Sequence, residues 1–171
     1  MSGQLLFAAL VSGSLYALIS LGLNLVYGTL RLLNIAHGEI VMIGGYVVYW
    51  AFVLAGLSPF VSMGLAGVAT ALLGVGLYQL VLRPMLRSGE LMARVEANSL
   101  LIFFGLAVII QNLASLAFTA SPRGFPFLNE IVQIGSMRIG ADRLVVIVLG
   151  LTACFACLAL FRFTKLGLAI R

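Results

Sequence analysis

Charge is what this sequence has least of. Among its 171 residues only 10 are basic and 5 acidic, together 9%, and histidine occurs once. Soluble globular domains carry about 25% charged residues, so too little polar surface exists here to cover a water-facing core. Disorder is excluded on the same ground, because a disordered chain stays open by being polar and charged. Cysteine is also scarce: two thiols cannot staple a chain of this length, which removes the disulfide-rich secreted class. The phosphate-cradling patterns Gly-x-x-x-x-Gly-Lys-Ser/Thr and Gly-x-Gly-x-x-Gly are missing, so the chain is expected not to hydrolyse ATP itself. With one histidine and no Ser/His/acid arrangement, no catalytic residue, metal site or cofactor is assigned.

What is present is hydrocarbon. Apolar residues make up 63% of the chain, against about 45–50% in soluble domains, and the mean hydropathy is +1.19. One helical crossing of a hydrocarbon core about 30 Å thick takes roughly 20 apolar residues. The run Leu5–Val26 supplies the first crossing. The stretch Ile40–Leu82 carries no charge and is long enough for two, divided at Gly56-Leu57-Ser58-Pro59, where glycine and proline supply a turn. Ala97–Pro122 is a fourth run and Leu144–Phe161 a shorter fifth. None alternates in polarity as a barrel strand does. The expected fold class is all-α, a polytopic transmembrane helix bundle of about five spans.

The basic residues set an orientation. With the amino terminus outside, the inner segments hold Arg31, Arg83, Arg87, Arg94, Arg162, Lys165 and Arg171, and the outer ones Arg123, Arg138 and Arg143. Positive charge favours the cytoplasmic side, so the amino terminus is expected outside and the carboxyl terminus inside. The net charge of +5 therefore requires no nucleic acid partner; the membrane itself, through anionic headgroups, suffices. Met1–Gln4 lacks the basic start of a signal peptide, so the first helix is expected to stay in the membrane. Between the fourth and fifth runs, β-prone segments flank Gly135-Ser136, which suits a short extracytoplasmic β-hairpin loop with a two-residue turn. Such a loop serves either as a small lid on the bundle or as a docking surface for an extracytoplasmic partner.

Polar groups inside the apolar runs need a reason to be there. Asn34-Ile35-Ala36-His37-Gly38-Glu39, at the mouth of the second span, holds the one histidine and one of the five acids. In a structural reading, Asn34 caps the helix with its side chain, and Glu39 is favoured by the positive end of the helix dipole. In a functional reading, Asn34, His37 and Glu39 belong to a solute path or a gate. Gln111 and Asn112, near the middle of the fourth span, are either hydrogen-bonding glue between helices or part of the same path. Asn24 and Gln79 pose the same question, and the pairs Gly44-Gly45, Gly64-x-x-Gly67 and Gly74-x-Gly76 are expected to let helix backbones approach closely. His37-Gly38-Glu39 with Cys154-Phe155-Ala156-Cys157 imitates the ligand pattern of zinc deaminases. The proline before the cysteine pair is missing, however, and His37 and Glu39 on one helix point about 200° apart.

One further pattern lies in longer stretches. Leu15-Tyr16-Ala17-Leu18-Ile19-Ser20-Leu21-Gly22-Leu23-Asn24-Leu25-Val26-Tyr27-Gly28, continuing through Arg31-Leu32-Leu33-Asn34-Ile35-Ala36-His37-Gly38-Glu39 and Met42-Ile43-Gly44-Gly45-Tyr46, resembles the amino-terminal signature of the inner-membrane permeases of branched-chain amino acid ABC importers. Arg83-Pro84-Met85, Gln111-Asn112, the loop from Phe125-Pro126 to Asp142-Arg143, and Phe163-Thr164-Lys165-Leu166-Gly167 extend the resemblance over essentially the whole chain. It implies a path through the bacterial inner membrane formed with a second permease subunit. Cytoplasmic ATPase subunits would drive alternating access, and a periplasmic substrate-binding protein would deliver Leu, Ile or Val. Relatives carry urea or short amides by the same scheme. The resemblance assigns no substrate contact to Asn34, His37 or Glu39. Chains of this family continue past Lys165-Leu166-Gly167 into a segment that contacts the ATPase and then into further spans. Residues 1–171 are therefore expected to be a single transmembrane permease domain cut short before that segment. Such a chain is not expected to couple uptake by itself, which leaves a non-transporting membrane scaffold as the competing role.

Overall fold

In lipid, every backbone N–H must find a carbonyl within its own segment, so long apolar runs fold as helices. The computed structural model of the chain describes residues 2–87, 92–119, 121–128, 130–134 and 137–163. Five helical stretches in it are long and apolar enough to cross a membrane. The first run lies inside α1 (Ser2–Leu30), and the long uncharged stretch is split into α2 (His37–Ala55) and α3 (Pro59–Leu77). A π-helical turn (Tyr78–Leu82) and the short α4 (Arg83–Arg87) prolong α3. The fourth run falls in α5 (Met92–Phe118) and the fifth in α6 (Ala141–Phe163), preceded by the strands β1 (Ile131–Ile134) and β2 (Met137–Gly140).

The helix ends follow from identifiable residues. Gly56 takes a left-handed conformation (φ 61°) and gives its N–H to the Phe52 carbonyl at 3.1 Å, while Leu57 N–H reaches Ala51 at 3.3 Å. Ser58 is extended and Pro59 sits in the first turn of α3, where a missing N–H costs nothing. The division at Gly56–Pro59 is as expected. Pro84 explains the widened turn before it: it has no N–H for the Leu80 carbonyl, and its ring collides with that carbonyl in a regular α-ladder. Arg83 N–H accordingly reaches back to Tyr78. α6 extends beyond its apolar run at both ends, taking in Asp142 in its first turn and Arg162 in its last, each of the sign the helix dipole favours.

The chain divides into two compact units, Met1–Leu30 with Pro126–Arg171 and Arg31–Phe125. In the first, α1 packs along α6. Their seam is tight at Gly150: a Cβ there would lie 3.3 Å from Ser14 Cβ and 3.4 Å from its Oγ. The Ser14 hydroxyl is satisfied within its own helix, donating to the Val11 carbonyl at 2.8 Å. β1 and β2 pair antiparallel, with Ile131 opposite Gly140 and Ile134 opposite Met137, so the expected hairpin is present. Its turn residues, Gly135 and Ser136, lie outside the described residues. β2 packs against α1 and α6 and buries Ile139.

In the second unit α2 packs on α3 and touches α5. Many of the buried residues are small (Ala51, Ser62, Ala66, Ser99, Ala107), and Leu32, Leu82, Val95 and Phe103 are the large apolar side chains buried with them. A Cβ at Gly44 would lie 3.4 Å from the Thr70 methyl, and the Thr70 hydroxyl turns back to the Ala66 carbonyl at 2.8 Å. The other expected glycine contacts are not made: Gly45, Gly64, Gly67, Gly74 and Gly76 have open space where a Cβ would stand. Large apolar side chains face outward in both units, Leu116 at 84% and Phe163 at 81% exposure being extremes. A helix apolar all round has not finished burying its surface, and in this class lipid or another helix covers the remainder.

Candidate functional site

The approach to α2 is an extended stretch with a two-residue rhythm. Leu32, Asn34 and Ala36 are buried while Arg31, Leu33 and Ile35 are exposed, the alternation of an extended chain with one covered face. Arg31 enters this stretch in the left-handed region (φ 53°). Asn34 does not cap α2 with its side chain. The N-cap is Ala36, which has no side-chain bond, and the contact is made by backbone, His37 N–H to the Asn34 carbonyl at 3.2 Å. The Asn34 Oδ1 is consequently buried with no hydrogen-bond partner among the described residues. A buried amide oxygen without a donor costs about 1–3 kcal/mol, so the position demands an explanation beyond capping.

His37 is the first residue of α2, two positions earlier in the helix than capping by Asn34 implies. It is half-buried, and so is Glu39, which lies in the first turn where the dipole favours a carboxylate. Asn34, His37 and Glu39 thus gather at one end of α2. Gln111 and Asn112 do not join them: both are exposed on α5, and Asn112 Nδ2 donates to the Val108 carbonyl of its own helix at 2.7 Å. Asn24 and Gln79 are exposed too. The interhelical hydrogen bonds expected of these four amides are not found among the described residues. Neither is a group of three or more His, Cys, Asp or Glu side chains close enough to hold a metal ion. Cys154 and Cys157 are free, half-buried thiols on α6.

The middle and carboxyl-terminal half of α2 carry a constellation that the linear sequence did not announce. Tyr46, Tyr49 and Trp50, at helical spacing of three and four, present one aromatic face. The Tyr46 ring stacks on Phe118 at the end of α5 (4.5 Å, 18°), and Trp50 lies 6.1 Å from the same ring. Phe125, from the loop after α5, stacks on Phe52 (4.4 Å, 22°) and lies 6.5 Å from Tyr49. The Arg123 guanidinium stands over two of these rings, 5.9 Å from Tyr49 and 5.8 Å from Trp50, within the range of cation–π attraction. Its Nη2 donates to the Phe118 carbonyl at 3.1 Å and to Thr119 Oγ1 at 3.0 Å, closing the end of α5. Thr119 is there in the left-handed region (φ 68°), a strained place for a β-branched residue. A cavity of about 340 Å³ opens between this face of α2 and the loop. In the sequence, Arg123 registered only as an outer charge. The spacing of Tyr46, Tyr49 and Trp50 was the available signal, but their partners lie about seventy residues away.

A family model described as branched-chain amino acid transport system, permease component, matches residues 5–171. Among curated proteins, the high-affinity branched-chain amino acid transport system permease protein LivH of Escherichia coli K12 is 29% identical over 182 residues. BraD of Pseudomonas aeruginosa, a protein of the same description, is 28% identical over 182 residues. Each alignment covers 98% of this chain and 57% of the relative. A probable branched-chain amino acid transport permease protein LivH of Methanocaldococcus jannaschii is 26% identical over 175 residues, 98% of this chain and 53% of that protein. The chain spans a little over half the length of these relatives. No solved structure matches it.

Proposed function

We propose, from the premise that this chain belongs to the family of branched-chain amino acid transport system permease components, that it forms part of the translocation path of an ATP-driven importer for branched-chain amino acids. The observation that carries the reading is the family match over residues 5–171, joined to five helices long and apolar enough to cross a membrane. A second permease subunit, cytoplasmic ATPases and a substrate-binding protein complete the proposed assembly, in a bacterial inner membrane. The amino terminus faces outward, as the distribution of basic residues favours. The entry to α2 then lies on the cytoplasmic side and the aromatic end on the outer side.

In this reading Asn34, His37 and Glu39 form the inner gate. What supports it is the unpartnered Asn34 oxygen and two half-buried ionisable groups beside it. Ionisable groups near lipid characteristically face a solute or water path. Gln111 and Asn112 offer exposed amides part-way along α5, where a zwitterion leaving water needs hydrogen-bonding groups. The chain supplies path and gate, and the ATPases supply the work.

The test is uptake by the assembled transporter in proteoliposomes. With residues 1–171 inside a family-length permease that carries the ATPase-contacting segment, ATP-dependent leucine accumulation is expected, and its absence from an intact, ATP-hydrolysing assembly overturns the reading. His37→Ala and Glu39→Gln are expected to lower uptake at least several-fold while assembly, followed by co-purification of the subunits, is unchanged. Normal uptake in both variants leaves the α2 entry a purely structural feature.

A further inference from the structure

The cavity between α2 and the loop after α5 has the chemistry of a binding site. Its wall is aromatic and apolar where Met42, Tyr46, Tyr49 and Phe125 line it, and polar where Ser121 and Arg123 do. A small-molecule pocket has this character, mostly apolar with a few polar groups to fix orientation, and 340 Å³ lies at the small end of the usual range of about 300–1,000 Å³. Gly45 and Gly124 add room, since no atom lies within 4 Å of where their Cβ would be.

Arg123 identifies the ligand. A guanidinium has five N–H donors and stays charged. Here Nη2 is committed to Phe118 and Thr119, the guanidinium carbon stands 5.8–5.9 Å from two ring centroids, and Nε and Nη1 have no acceptor among the described residues. No carboxylate among them pairs with this charge. An exposed guanidinium tethered at one nitrogen with donors to spare, on the same wall as the Ser121 hydroxyl that is bonded to Thr119 Oγ1 at 3.0 Å, matches a carboxylate arriving from water. The adjoining rings match an aliphatic tail. A phosphate headgroup fits less well, because the wall offers a single cation.

We propose that this cavity binds a small aliphatic amino acid, with Arg123 taking the carboxylate and Tyr46, Tyr49 and Phe125 enclosing the side chain. The choice of ligand rests on the importer reading above. In the orientation given there, the site is the outer landing place of the solute, and its wall starts at Met42, about one turn along α2 from Glu39.

The chain carries its own reporter. Trp50 is its one tryptophan and lies beside the Arg123 guanidinium. In phosphatidylcholine nanodiscs, L-leucine is expected to shift Trp50 emission saturably. 4-Methylpentanoate, which keeps the carboxylate, is expected to do the same, and 3-methylbutylamine, which lacks it, is not. Arg123→Gln is expected to weaken leucine binding roughly tenfold or more, the scale of losing a charge-assisted bond. Gly45→Val fills the cavity and leaves Arg123 in place, so it separates loss of the site from misfolding, and it is expected to weaken binding at least as much. The proposal is overturned if leucine leaves the emission unchanged, if the amine binds as well as the acid, or if Gly45→Val binds normally. It also fails if the response follows added phosphatidylglycerol in place of leucine. Uptake by the assembled transporter separates the two readings. Leucine transport at the normal rate in Gly45→Val removes the site and keeps the importer. Trp50 titration by leucine with no uptake in the unaltered assembly keeps the site and removes the importer.

Discussion

Gly150 offers a sharp test of how α1 and α6 are held together. A Cβ at this position would stand 3.3 Å from Ser14 Cβ, inside the 3.5–4.0 Å separation at which carbon atoms attract. Alanine therefore asks the helices to part by a few tenths of an ångström. Against that, alanine recovers about 1 kcal/mol of helix propensity over glycine, so Gly150→Ala is expected to be close to neutral. Leucine is different. It drives further carbons against Ser14 at the closest approach of the two helices, and overpacking of this kind costs about 1–3 kcal/mol. Gly13 is the internal control: it lies on α1, has no atom within 4 Å of its Cβ position, and borders an apolar cavity of about 400 Å³. Thermal melting in detergent, read by size-exclusion chromatography, is expected to fall by several degrees for Gly150→Leu and to change little for Gly13→Leu. If Gly150→Leu melts with the wild type, or Gly13→Leu falls as far, then the Gly150–Ser14 approach does not govern the pairing.

Two more outcomes rest on backbone and burial. Gly56→Val places a β-branched residue at φ 61° and is expected to cost about 1–2 kcal/mol in the same melting assay, with Gly56→Asn costing less; equal melting of both variants refutes the strain argument. Asn34→Leu replaces an unpartnered amide with an apolar side chain of similar size, so stability is expected to hold or rise while leucine uptake by the assembled transporter falls. A large loss of stability in that variant shows instead that the amide is bonded in the membrane and is structural.

Much of the architecture could be read from residue order because lipid makes hydropathy decisive. Runs such as Leu5–Val26 leave a backbone no alternative to helix, and Gly56 with Pro59 breaks the long run at a point where no regular helix passes. The hairpin was legible in the same local way, from β-prone segments either side of two turn residues. The details that escaped depend on distant partners or on competition between neighbours. Asn34 has the right type for a cap, but the extended stretch that buries Leu32 and Ala36 carries its side chain inward with them. Gln111 and Asn112 were sensible candidates for glue between helices, yet Asn112 spends its amide on its own helix. The Arg123 cluster joins α2 to a loop far along the chain, and no local pattern encodes such a meeting.

The widened turn at Tyr78–Leu82 acts on the helix beyond it like a washer slipped into a screw thread. One residue more than the regular ladder needs is taken up there, so the side chains of α4 are swung about 100° around the axis. Arg83 and Arg87, four apart and hence on a common bearing, owe their compass direction to that washer and not to the apolar stripe before it. Deleting a single residue at the turn would swing both arginines together and leave the lipid-facing surface of α3 as it was.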